Sequence, residues 1–373
     1  MSNDAPRFGT FFLPGPTEVR QEVLAAMLRP MIPHRGTQFE QLFARLQDGL
    51  RSVFQTTRPA FVSSSSATGL MEAAVRCARP GRILSLVNGA FSERFAHIAR
   101  ACGREVDVVS TQWGEVVPLD MVEQHLRHAH YAAVTVVHSE TSTGALTDVH
   151  AVAQLAHQYG AQVLVDSVSG AGGAPLEFDD WGLDFALTGS QKALALPPGL
   201  AFGVASREYM RHVSEAAARG VYFDLLEFEQ YAEKNQTPNT PAISLLYALD
   251  VQLGAIAAEG IDQRWMRHSA MARAMAEWVY AASERLDVAL EILAPAGARS
   301  PTVSAIVVPD GVRGDAVVAE VARRGYTIGG GYGKLRDRTV RIGHMGDHTV
   351  NGLRECLMVC EAALESVLAS RTV

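Results

Sequence analysis

In the stretch "AQVLVDSVSGAGGAPLEFDDWGLDFALTGSQKAL", Ala161 to Leu194, two short apolar runs each stop abruptly at polar groups: Asp166 and Ser167 after the first, Ser190 to Lys192 after the second. Runs of this length, rich in aliphatic residues and bounded by glycine, proline and serine, read as buried strands. The same pattern recurs on both sides. "RILSLVN" leads into the helical pattern "AFSERFAHIARACG", "EVDVVST" into "LDMVEQHLRHA" and "YAAVTVVHS" into "VHAVAQLAHQYG", and "GLAFGVAS" closes the series. Strands alternating with helices from Arg82 to Ser206 predict an α/β fold with a mainly parallel sheet covered on both faces. In such sheets ligands bind outside the carboxyl ends of the strands. Asn88 and Gly89, His138 to Thr141, Asp166 and Ser167, and Ser190 to Lys192 are therefore expected to converge.

Upstream, the prolines and glycine of "FFLPGPTEV" demand an extended or turning backbone. A short helix is expected over Glu18 to Met27 and a longer one over Thr37 to Phe54, separated by the breaker "RPMIPHRG". "PAFVSSSSATGLMEAAVRCA" reads as a strand, a serine-rich turn and a helix that starts near Ser66 to Thr68. After Ser206 the chain turns helical, with "RGVYFDLLEFEQYAEKNQTPNTPA" as a loop, and a long helical stretch from Ile243 to Leu286 ties two domains together. The last third alternates again: "VALEIL", "TVSAIVVP", a helix around Gly314 to Arg324, "YTIGGG", "TVRIGHM" and a helix from Asn351 to Ala369. This gives a large domain with its N-terminal segment over residues 1–250, and a linking helix with a smaller α+β domain over 251–373.

A chain of 373 residues, 48% apolar and 20% charged, is composed like an ordinary globular protein and is long enough for two cores. A net charge of -7 offers no broad basic surface to nucleic acid or to an anionic membrane. Cys77, Cys102, Cys356 and Cys360 lack the spacing of a zinc site and the density of a disulfide scaffold, so no metal is expected and a reducing cytoplasm is. Cys356 and Cys360 are four apart in a helix pattern, which places them on one packing face. No secretory leader and no long uninterrupted apolar run is read in the sequence.

Asp166, at the end of a buried strand, needs a donating or cationic partner. Either it caps a turn or it holds a protonated pyridine nitrogen, the usual carboxylate partner of pyridoxal phosphate. Lys192 lies one strand further on, where a desolvated amine acquires a lowered pKa and can form an imine with a carbonyl. "SSSSATG", entering a helix, offers free N–H groups and a positive dipole end to a phosphate, although serine and threonine also cap helices with no ligand. Phe91 either covers an aromatic ring or packs in the core. Arg341, inside an apolar strand, either captures a substrate carboxylate or forms an internal ion pair.

With "LPGPTEV", "PHRG", "SSATGLMEAAV", "VNGAFSERF", "HSETSTG", "VLVDSVSGAGGAPLEFDDWGLD", "TGSQKAL", "TPNTPAISLLYAL" and "RIGHMG" in this order, the chain resembles the class V, fold type I pyridoxal-phosphate-dependent aminotransferases, in the alanine:glyoxylate and serine:pyruvate group. The resemblance implies a mainly parallel large-domain sheet, a smaller α+β C-terminal domain, and pyridoxal 5'-phosphate as cofactor. It makes Lys192 the lysine that links to the cofactor aldehyde and Asp166 the partner of the ring nitrogen. Phe91 falls where close relatives stack a tryptophan, and Ser66, Ala67 and Thr68 match the phosphate cup, with Thr68 in place of a histidine. Thr141 matches a hydroxyl near the phenolic oxygen, and Gln191 a phosphate ligand. Thr237 and Thr240 match the loop that completes the phosphate shell of a neighbouring subunit, which implies a homodimer with shared active sites. Arg341 matches the α-carboxylate arginine, and Gly15, in the Pro14 to Pro16 turn, the lining of the substrate pocket.

The expected reaction transfers the amino group of alanine or serine to glyoxylate or pyruvate by a ping-pong mechanism. Transamination of aspartate or 2-aminoethylphosphonate is the alternative, and it needs a further cation, for which Arg35 and Lys334 are candidates. A cysteine desulfurase needs a cysteine on a mobile loop, and all four read as helical or helix-flanking. A non-catalytic scaffold would reduce Lys192 and Asp166 to an ion pair.

Overall fold

The computed structural model describes residues 8–370. Seven strands form the larger sheet, in the order Ala60–Ser63, Ala201–Ala205, Phe185–Gly189, Gln162–Asp166, Ala133–Val137, Ile83–Val87 and Val106–Ser110. Ala201–Ala205 runs antiparallel to both of its neighbours, and every other pairing in this sheet is parallel. All five residues of Gln162–Asp166 and of Phe185–Gly189 are buried. Burial on both faces is why these strands read as continuous apolar runs rather than as alternations.

The helix Thr37–Phe54 buries Phe39, Leu42, Phe43, Leu46, Leu50 and Phe54, a stripe at spacings of three and four. It packs against the helix Ile243–Glu259 and one side of the sheet. Each such side chain contributes roughly 1.5–3 kcal/mol on burial. On the opposite face Ala67–Cys77 and Ala90–Ala101 lie over Phe61, Ile83, Leu164 and Phe185.

The expected helical stretch from Ile243 to Leu286 is two helices, Ile243–Glu259 and Ile261–Leu286, bent by 83°. The break is Gly260, whose φ of 82° is left-handed backbone that favours glycine. Inside the expected loop after Arg219, Leu225–Ala232 is helical: Asp224 accepts from the Leu226 N–H, and Leu225, Phe228 and Ala232 bury one face.

A second sheet has the order Phe11–Phe12, Thr327–Gly330, Thr339–Gly343, Val303–Val307 and Glu291–Ile292. Phe12 pairs with Ile328 and joins the core beneath the helix Val350–Ala369. The N-terminal segment thus crosses from one sheet to the other, and a pairing two residues long leaves no periodicity to read. Cys356 and Cys360 are both buried in that same core. No single helix among the described residues is long and apolar enough to cross a membrane.

Candidate active site

The parallel strands of the larger sheet end side by side. The Asp166 carbonyl accepts from the His138 N–H at 2.8 Å, and Ser167 N–H donates to the Leu187 carbonyl at 2.9 Å, so the three strand ends are locked in register. Above them lies a cavity of about 360 Å³ lined by Gly15, Ser66, Ala67, Thr68, Phe91, Thr141, Asp166, Gln191 and Lys192. Nine expected site residues, drawn from six separate segments, therefore share one space. Arg341 reaches its edge, donating from Nη1 to the Thr141 carbonyl at 3.2 Å and from Nε to the Gly330 carbonyl at 2.8 Å.

Lys192 is 7% exposed and Asp166 3%. Burial pushes the Lys192 amine down to about 8, helped by the positive charge of Arg341. Burial pushes the Asp166 carboxyl up to about 7, with the Val168 N–H opposing the shift and Glu140 adding to it. The Lys192 Nζ donates to the Pro14 carbonyl. Thr17 fixes the lysine's own segment, donating from its hydroxyl to the Lys192 carbonyl at 3.1 Å and from its N–H to the Gln191 carbonyl at 3.0 Å. Gly15 lies directly over the amine: a Cβ there would stand 2.6 Å from Lys192 Cε, and its φ of 119° is itself unfavourable for a side chain.

Several of these features fit pyridoxal phosphate. Asp166 Oδ1 accepts from the Val168 N–H at 2.8 Å, and the carboxyl group borders the cavity, in position to accept from a ring N–H. The helix Ala67–Cys77 starts at Ser66 without a side-chain cap, so its first N–H groups face an incoming anion. The Phe91 ring lies 6.0 Å from the Lys192 amine and parallel to Tyr332, at 5.6 Å and 24°. Thr141 shares a 2.5 Å hydrogen bond with Ser169.

Thr237 and Thr240 stand apart. They line a surface crevice with Ser64 and Tyr222, and the Thr237 hydroxyl donates to the Asn239 carbonyl at 2.8 Å. The two cations considered for an acidic substrate stay outside the cavity as well. Arg35 is tied to the Thr237 and Pro238 carbonyls, and Lys334 pairs with Glu93 at 2.8 Å. None of the four cysteines lines the cavity: Cys77, Cys356 and Cys360 are buried and Cys102 is half-buried. No cluster of metal-ligating side chains occurs among the described residues.

Three contributors had no role assigned from the sequence. Glu140, fully buried, accepts from the Phe91 and Ser92 N–H groups and from the Ser142 hydroxyl, and so holds the start of the helix that carries Phe91. Arg94, three residues beyond Phe91 on that helix, lies with its guanidinium over the Phe91 ring at 4.9 Å and borders the cavity. Tyr332 closes the same side from the second sheet. The i,i+3 spacing from Phe91 was the signal available for Arg94. A larger, open hollow of about 610 Å³ is lined by His157, Asp184, Arg79 and Arg207, on the side of the sheet where the strands begin. His157 and Asp184 pair with each other there at 2.8 Å, and neither Lys192 nor Asp166 borders it.

The fold and site together define a pyridoxal-phosphate-dependent enzyme of fold type I. The family model described as aminotransferase class-V matches residues 12–332, and the chain belongs to that family. It is 33% identical to the L-aspartate–glyoxylate aminotransferase of Paracoccus denitrificans, over 91% of this chain and 86% of that one. It is 32% identical to the serine–glyoxylate aminotransferase of Arabidopsis thaliana, over 96% of this chain and 89% of that one. The solved structure of an alanine–glyoxylate aminotransferase from Nostoc superposes with a TM-score of 0.87 at 31% identity, covering 99% of this chain and 97% of that one.

Proposed function

We propose that this aminotransferase moves the amino group of a small amino acid to glyoxylate by a ping-pong mechanism. The observation that carries the reading is one cavity lined by a buried amine and a buried carboxylate, Lys192 and Asp166, with the Arg341 guanidinium hydrogen-bonded to its wall at the Thr141 carbonyl. Bound pyridoxal phosphate supplies an aldehyde that captures an amine and a ring that accepts electrons. Everything else is the work of this chain.

Lys192, with its pKa lowered to about 8, presents a neutral amine at mildly alkaline pH; it would hold the cofactor aldehyde, and its free amine would take and return the substrate α-proton. Asp166 keeps the ring nitrogen protonated. The first N–H groups of Ala67–Cys77, with Ser66, Thr68 and Gln191, hold the phosphate. Phe91 and Thr141, both lining the cavity, would cover one ring face and donate toward the phenolic oxygen, respectively. Arg341 has two of its N–H groups tied to carbonyls, which aims the remaining edge of the guanidinium at a substrate α-carboxylate.

The donors named for the three relatives, alanine, serine and aspartate, share a short side chain, and glyoxylate is common to all three. Shared active sites in a homodimer are part of the proposal. Thr237 and Thr240 face outward from their own cavity, and the exposed Leu28, Met31 and Val221 offer apolar surface to a second copy. Free thiols at all four cysteines suit a reducing cytoplasm.

The test is a panel of alanine, serine and aspartate against glyoxylate, pyruvate and 2-oxoglutarate, with both substrates varied. Parallel double-reciprocal lines and a glyoxylate preference are expected. Intersecting lines would remove the ping-pong scheme, and absence of glycine from every donor would remove the acceptor.

A further inference from the structure

Arg94 is a guanidinium at the cavity wall with no carboxylate partner among the described residues. Its Nη2 donates to the Tyr332 hydroxyl at 3.3 Å, and its Cζ lies over the Phe91 ring, 4.9 Å from the centroid. Arg341 approaches the same tyrosine from the ring face, its Cζ 5.3 Å from the centroid. Two cations thus flank Tyr332, one at its face and one at its hydroxyl end, and the separation between them is set by a single side chain. Lys334, two residues beyond Tyr332 in the chain, is already spent on Glu93.

We infer that Arg94 is a specificity-determining residue that binds the side-chain carboxylate of a short dicarboxylic donor, while Arg341 binds the α-carboxylate. The inference rests on the transaminase reading of the site and narrows its donor to aspartate. A planar guanidinium matches a carboxylate with two parallel N–H donors, and a half-buried one is available to a substrate at the mouth of a cavity. The position explains why neither Arg35 nor Lys334 is needed for an acidic substrate. A monocarboxylic donor such as alanine leaves Arg94 on Phe91 and gains nothing from it.

The experiment compares the loaded native enzyme with Arg94→Gln and Arg94→Lys, measuring kcat/KM for aspartate, glutamate and alanine with glyoxylate as acceptor. The absorption of bound cofactor is recorded for each protein, so that altered stacking on Phe91 registers separately. Native enzyme is expected to prefer aspartate to both other donors. The ratio of aspartate to alanine efficiency is expected to fall about 10- to 100-fold in Arg94→Gln, the size of one lost charge-assisted hydrogen bond, mostly through KM. Arg94→Lys recovers part of it.

If Arg94 only packs on Phe91, all donors decline together, and a ratio within threefold of native overturns the inference. So does a native enzyme that uses alanine and rejects aspartate, an outcome that leaves the transaminase reading standing. A protein that loads cofactor and transfers an amino group from no donor defeats that reading itself.

Discussion

Replacing Asp166 by asparagine separates charge from shape at the centre of the site. The amide keeps an oxygen for the Val168 N–H, 2.8 Å away, and removes the negative charge. Because burial raises the Asp166 pKa from 3.8 to about 7, the folded protein holds this proton more tightly than the unfolded chain does. A raised carboxyl pKa favours the fold at low pH, and the advantage is lost as pH climbs from about 4 to about 7. At 1.36 kcal/mol for each unit, the mismatch costs the cofactor-free protein about 2 kcal/mol at pH 5, where the folded carboxyl is still neutral and the unfolded one ionised, and about 4 kcal/mol at pH 8, where both are ionised. Asp166→Asn escapes that cost. Loss of the carboxylate also withdraws an attraction from the Lys192 ammonium, which trims the gain below pH 8. The cofactor-free variant should therefore be more stable than the parent, by a margin that widens by about 2 kcal/mol between pH 5 and pH 8. Denaturant unfolding of both proteins at pH 5, 6, 7 and 8 measures the margin. With cofactor bound the order reverses, since the ring nitrogen loses its anionic partner, and turnover should drop about 10- to 100-fold or more. A stability margin that stays flat from pH 5 to 8 would show that Asp166 is not held as a strained charge.

Lys192→Ala should lower turnover by about 10²- to 10⁴-fold with the fold retained, and borohydride should no longer fix pyridoxal phosphate to the chain, as mass spectrometry of the peptide containing position 192 would show. Retained covalent capture would move the attachment point to another amine. Arg341→Gln should raise KM for every amino donor and lower kcat/KM about 10- to 100-fold; selective loss of one donor would contradict a general α-carboxylate role. Gly15→Ala should slow borohydride-detected cofactor capture and lower stability by about 1–3 kcal/mol, because its Cβ meets Lys192 and its backbone is left-handed. Capture at the native rate would mean the turn yields freely.

The strand ends were legible because burial on both faces erases polar residues from a strand until it leaves the sheet. Asp166 and Lys192 stood out for that reason alone, as charges at the close of apolar runs. Arg94 and Glu140 did not, since a polar residue near the start of a helix or in a serine-rich turn is ordinary in any sequence. Gly260 was legible only as one glycine within an otherwise helical pattern, which many helices tolerate at about 1 kcal/mol; its left-handed φ of 82° appears only in the fold.

By itself, then, the sequence determined the α/β class and the polar groups that close each apolar run, Asp166 and Lys192 among them. These follow from local periodicity and from the cost of burying charge. Only the tertiary structure decided which cations reach the cavity and which are neutralised elsewhere. Lys334 pairs with Glu93 across 241 residues, and the pair formed leaves Arg94 without a carboxylate partner among the described residues. Pairing between distant segments depends on how two sheets are packed, and no local pattern encodes it.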